Sequence, residues 1–198
     1  MLGNPVIIQQ AEASGFRARG FRHMEEVDVV DAHDNVVGKA KREEAHRKGL
    51  LHRVVFVFLF DPDGKLYVQK RVASKDMYPN CWEGSLSGHV LSGETYKEAA
   101  ERELHEELGA CVSGRHLKEI IKFGNHDGNE RVLITLFAVK DFKENMTIDK
   151  EEVNSGEFWT IKKLESELKK QSNFNPGFIK AWEEFKAMKE KAVEFVKL

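Results

Sequence analysis

The chain has 198 residues, with 31 Lys+Arg against 33 Asp+Glu for a formal net charge of −2, and 41% of it is hydrophobic. That length buries a core without staples, the apolar share excludes global disorder, and the near-zero charge removes any electrostatic case for nucleic-acid binding. Two cysteines, Cys81 and Cys111, make neither a disulfide framework nor a cysteine zinc site, and the longest apolar run, Val54 to Phe60, is too short to span a bilayer. The reading is a cytoplasmic protein that meets neither membrane nor nucleic acid.

In chain order, residues 1–24 read as a loose leader. Gly3, Gly15, Gly20, three arginines and one acid, Glu12, show no sustained period. An organelle presequence over residues 1–23 is the weaker reading, since serine is scarce and the amphipathic face is poor. Val27–Val30 and Val36–Ala40 flank Asp34-Asn35 and predict a β-hairpin. Arg42 to Lys48 predicts a short charged helix. Val54 to Phe60 predicts a strand buried on both faces, and Asp61-Pro62-Asp63-Gly64 a turn, with Leu66–Arg71 as the returning strand. Met77 to Gly93 reads as loop and short strand. Thr95 to Leu108 predicts a helix opened by a Thr95/Glu98 capping box and closed by Gly109. Further strands are expected at Lys118–Phe123, Arg131–Val139 and Glu157–Ile161, with a solvated helix from Lys162 to Lys170. Asn175-Pro176-Gly177 reads as a turn before an amphipathic closing helix carrying Trp182, Phe185, Ala192 and Val196. This order implies α+β or a three-layer α/β/α sandwich with a mixed sheet.

The helix after Gly93 carries the chemistry. At about 100° per residue, Glu103, Glu106 and Glu107 share one side, while Ala100, Leu104 and Leu108 form an apolar stripe opposite. Carboxylates crowded on one face raise one another's pKa unless a cation sits among them, and oxygen ligands suit Mg²⁺ or Mn²⁺. Glu94 lies just ahead of the helix, where an acid complements the N-terminus, and Arg102 is placed to pair with a carboxylate.

Together the spacing is Gly88, five residues, Glu94, seven residues, then Arg102-Glu103-Leu104-His105-Glu106-Glu107-Leu108-Gly109-Ala110. It resembles the signature of the Nudix hydrolases, with all seven fixed identities present and only Ala110 smaller than usual. Chance agreement at ordinary residue frequencies is on the order of 10⁻⁷ per window. The resemblance implies a single Nudix domain over residues 25–198 that cleaves a diphosphate linkage in a nucleotide-like small molecule. It also implies metal ligands at Glu103, Glu106, Glu107 and the Gly88 carbonyl. Glu94, Arg102 and Gly109 would be structural, and the general base would be Glu103 or Glu107, with Glu152 in the second place. A homodimer is compatible with this reading.

Beyond this motif, Leu51-His52-Arg53 and Trp82 resemble isopentenyl-diphosphate isomerases and their hydrolase-like relatives. On the isomerase pattern, His52, His89, Glu130 and Ala45 fall on metal-ligand positions, Ser87 on the catalytic cysteine and Val132 on the catalytic acid. Serine and valine cannot supply that chemistry, which favours a hydrolase of the isomerase-like subgroup. Isoprenoid isomerisation or hydrolysis, and a non-catalytic nucleotide-binding module, are the alternatives. Candidates for substrate contact are Arg71, Trp82, His89, His52 and Glu130.

Overall fold

A computed structural model describes residues 25–75, 77–128, 130–170 and 173–195. The reading of residues 1–24 as a leader, and Val196 in the closing helix, lie outside them. The expected hairpin is β1 (Glu26–Val30) and β2 (Val36–Lys41), antiparallel and followed directly by α1 (Arg42–Lys48).

The apolar run forms most of β3 (His52–Leu59), and its alternation explains the layering. Val54, Phe56, Phe58 and the following Phe60 enter one core, whereas Val55, Val57 and Leu59 enter the other. A strand buried on both faces needs neighbours on both edges. It pairs in parallel with β8 (Glu130–Val139), and on its other edge antiparallel with β6 (Leu86–His89) and, at His52, with β1. β7 (Lys118–Asp127) completes this six-stranded mixed sheet.

The box helix, α2 (Tyr96–Leu108), packs on one face. Thr95 caps it with Glu98 in a capping box, and Gly109 ends it in the left-handed region at φ 62°. Ala100, Leu104 and Leu108 are fully buried in the core on that side. Each leucine contributes roughly 1.5–3 kcal/mol by leaving water. The opposite face is covered by α3 (Ile161–Lys169) and α4 (Pro176–Ala187), which bring Leu164, Phe178, Trp182 and Phe185 into the other core. Helices on both faces of a mixed sheet make the expected α/β/α sandwich.

Four expectations need correction. Leu66–Arg71 is indeed a strand, β4, but it joins a separate three-stranded sheet with β5 (Trp82–Glu83) and β9 (Val153–Trp159); a Phe60–Leu66 bridge and a bond from the Asp61 N–H to the Lys65 carbonyl close the turn that leads to it. β9 ends at Trp159 because Thr160 accepts from the Lys163 N–H and starts α3. Asn175-Pro176-Gly177 is no free turn: Asn175 caps α4 and Pro176 occupies its first turn, where a missing N–H costs nothing. The closing helix is interrupted at Met188 (φ −83°, ψ 55°), after which α5 (Lys189–Ala192) adds a single turn. Among the described residues no helix is long and apolar enough to cross a membrane.

Candidate active site

Glu103 and Glu107 are buried, with Glu106 more exposed beside them. Gly88, on β6, lies against this face so closely that a Cβ there would meet the Glu103 Cδ at 2.4 Å. Only glycine lets the backbone reach that carboxylate. Arg102 grips the cluster from outside. Its Nε and Nη2 donate to the two Glu94 oxygens at 2.7 and 3.0 Å, its Nη1 to Glu103 at 2.8 Å and Glu106 at 3.2 Å, and Nη2 also to the His89 carbonyl. Glu94 in turn accepts from the Leu91 N–H.

Glu107 is held from the three-stranded sheet. The buried Gln69 amide nitrogen on β4 donates to Glu107 at 3.1 Å and to Glu83 of β5 at 3.2 Å. Glu83 also accepts from Arg71, Ser87 and Asn175. Glu152 arrives by another route. The last carbonyls of α2 lack helical partners, and the segment before β9 satisfies them: the Thr147 and Asp149 N–H groups donate to Leu108 and Glu107. That tuck places Glu152 beside Glu107, where the Lys75 ammonium pairs with Glu152 and lies 3.8 Å from Glu107.

Burial raises the Glu107 carboxyl to about 7; Glu103, Glu83 and Glu152 push the same way, against the pull of Lys75. Buried oxygen donors with surplus negative charge, beside a backbone cradle that a Cβ would fill, fit a hard divalent cation. The residues present therefore suit the metal that the box pattern implies.

A cleft of about 800 Å³, open mouth included, runs from these acids past His89, Arg71 and Lys75 to a floor of Val54, Phe56, Val132 and Ile134. Ser87, Glu130, Tyr78 and Arg42 also line it. At its side His46, His52 and His89 bring ring nitrogens within 4.8 Å of one another. His46 and His89 share a 2.9 Å Nε2–Nε2 contact, and His52 Nδ1 lies 2.8 Å from the Leu50 carbonyl, while its buried Nε2 has no partner. Burial pushes the His52 and His89 rings below their ordinary pKa, so both sit as neutral nitrogen donors. Burial likewise raises Glu130.

Of the residues expected at the site, Gly88, Glu94, Arg102, Glu103, Glu106, Glu107, Glu152, Arg71, His52, His89 and Glu130 gather at or beside this cleft. Gly109 caps the box helix. Trp82 is displaced from it: it packs on Trp159 with ring centroids 4.9 Å apart and is not among the cleft-lining residues. Ala45 points into the small core under the hairpin, and its neighbour His46 takes the cleft side. Arg42 and His46, one turn apart on a charged helix, carried the signal that finds His46. Gln69, Glu83 and Lys75 were not foreseen; single polar residues on short strands and loops leave no periodic trace.

Residues 50–182 match the family model described as NUDIX domain. An uncharacterized Nudix hydrolase of Listeria monocytogenes is 35% identical over 157 residues, 78% of this chain and 90% of its own length. Another, from Streptomyces coelicolor, is 44% identical over 106 residues, covering 53% of this chain and 58% of that relative. Isopentenyl-diphosphate Delta-isomerase 2 of Photorhabdus laumondii is 45% identical over 87 residues, 43% of this chain and 49% of its own. The match thus spans little more than half the length of the Streptomyces relative and about half of the isomerase. The crystal structure of DR0079 from Deinococcus radiodurans shares the fold with a TM-score of 0.65 at 28% identity, over 76% of this chain and 93% of that one.

Proposed function

The chain belongs to the NUDIX family, and from that membership we propose that it hydrolyses a diphosphate linkage in a small molecule with the help of Mg²⁺ or Mn²⁺. A nucleoside diphosphate derivative is the first substrate class to test. The observation that supports this reading is the buried group of Glu103 and Glu107 against the Gly88 backbone, backed by Glu83 and Glu152.

Glu103, Glu106, Glu107 and the Gly88 carbonyl would hold the cation. When bound it supplies Lewis-acid polarisation of the diphosphate and acidifies water. The protein's own residues do the rest. Arg102 fixes Glu103 and Glu106, and Gln69 fixes Glu107. A box carboxylate, Glu107 or Glu103, takes a proton from the water whose oxygen attacks phosphorus as the bridging P–O bond breaks and a phosphate leaves; Glu152 is the second candidate base. The apolar floor shields the substrate's organic part from water.

Isoprenoid isomerisation is the second reading, favoured by the three-histidine group and the isomerase relative. Against it, Ser87 and Val132, which line the cleft, can neither attack as a thiolate nor protonate carbon. A phosphate-release screen over nucleotides, sugar nucleotides, dinucleotides and prenyl diphosphates, with and without Mg²⁺ and Mn²⁺, tests the proposal. Metal-dependent release is expected, falling by ~10²-fold or more in Glu103→Gln and Glu107→Gln. Dimethylallyl product from isopentenyl diphosphate, without phosphate release, would overturn it.

A further inference from the structure

The hairpin β1–β2 precedes the residues that match the family model, yet it holds the loop leading into the box helix. Asp28, buried on β1, accepts from the Ser92 hydroxyl at 2.7 Å through Oδ1 and from the Gly93 N–H at 3.2 Å through Oδ2. The Ser92 N–H donates to the Glu26 carbonyl at 2.8 Å, and Val27 bridges Leu91. Three consecutive loop residues are therefore tied to one strand. Arg53 stands 3.8 Å from Asp28 and bonds Asp34 at 2.6 Å, while Asp34 accepts from the Tyr96 hydroxyl in the first turn of the box helix.

From this loop the path to the acids is short. Gly93 takes φ +86°, a turn geometry that places Glu94 next in line. Glu94 closes on the Leu91 N–H and receives Arg102, and Arg102 holds Glu103 and Glu106. Left untied, these loop residues would gain backbone freedom, and the Glu94–Arg102 pair would lose its fixed base.

We propose that Asp28 is a positioning residue for the metal-holding acids: by pinning Ser92 and Gly93 to β1 it sets Glu94, and through Arg102 it sets Glu103. The inference rests on the reading of Glu103, Glu106 and Glu107 as metal ligands.

Asp28→Asn keeps the shape and the bond from Ser92, but it turns an amide donor toward the Gly93 N–H and Arg53. Ser92→Ala removes one bond and leaves the hairpin intact. Val37→Thr, an exposed change on β2, is the control. Mn²⁺ binding by the full chain is followed by calorimetry and by the electron paramagnetic resonance of free Mn²⁺, together with Mn²⁺-dependent turnover. Asp28→Asn is expected to weaken Mn²⁺ ~10-fold, with turnover restored by excess Mn²⁺. Ser92→Ala shifts both in the same direction by less, and Val37→Thr leaves both unchanged. Should Asp28→Asn fail to fold, Ser92→Ala decides. Affinity in Asp28→Asn and Ser92→Ala equal to that of the unaltered protein would overturn the inference while leaving the functional reading standing. An unaltered protein that binds no Mn²⁺ would overturn both.

Discussion

Gly88 and Glu103 stand so close that a Cβ on the glycine would lie 2.4 Å from both Cγ and Cδ of the glutamate. Gly88→Ala must therefore drive Glu103 out of its place and off the Arg102 Nη1. Gly88 lies in a strand without positive φ, so the backbone tolerates alanine and the fold persists. Calorimetric titration should show Mn²⁺ binding weakened by about tenfold or more, with the circular dichroism spectrum unchanged. Unaltered affinity would mean that this carboxylate takes no part in holding metal.

Gln69 serves two buried acids from one nitrogen. Replacing it with leucine leaves Glu83 and Glu107, both almost fully buried, each short of a donor. Urea unfolding at neutral pH is expected to show a loss of about 1–3 kcal/mol. Phosphate release should fall too, since Glu107 is no longer held. A variant as stable and as active as the original would show that the amide is a bystander.

The Glu107 carboxyl, ordinarily near 4.5, is raised to about 7 in the folded chain by burial and by neighbouring acids. A carboxyl raised on folding stabilises the fold fully below its unfolded value, and that contribution disappears as the pH climbs through the folded one. With chelator present, the melting temperature of the unaltered protein should fall relative to Glu107→Gln between pH about 4.5 and about 7. A constant difference across that range, measured by differential scanning calorimetry, contradicts the assigned environment.

The sequence announced the box helix because three signals agreed there: a 3.6-residue apolar stripe, a capping box and a terminal glycine. β3 was equally legible, since an unbroken β-branched and aromatic run has no other way to bury itself. The sheet to which β4 belongs was not legible. Asp61–Gly64 says only that the chain reverses, and the returning strand was free to pair with β9 instead. Asn175-Pro176-Gly177 misled for a related reason, because the residues that make turns also make helix starts. Within the site, spacing exposed the three box glutamates, which share one helix. Their supports come singly from β4, β5 and a loop, so no pattern along the chain connects Gln69, Glu83 and Lys75, and Glu152 was named through the family resemblance alone. His46 was missed by one position because its α1 neighbour Ala45 turns inward.

The box helix packs on the six-stranded sheet, whereas Gln69, Arg71 and Glu83 belong to the three-stranded one and Glu152 directly precedes its last strand. The site is consequently a seam between two sheets that share both cores: Leu66 and Val68 of β4 pack with the Phe58 side of β3, and Tyr67 of β4 and Val153 of β9 with its Val57 side. A rotation across it that parted Glu107 from Gln69 and Glu152 would also strip apolar contacts from both cores, so the packing that holds the fold also holds the acids in register. Heat would thus silence the seam only as it melts the protein.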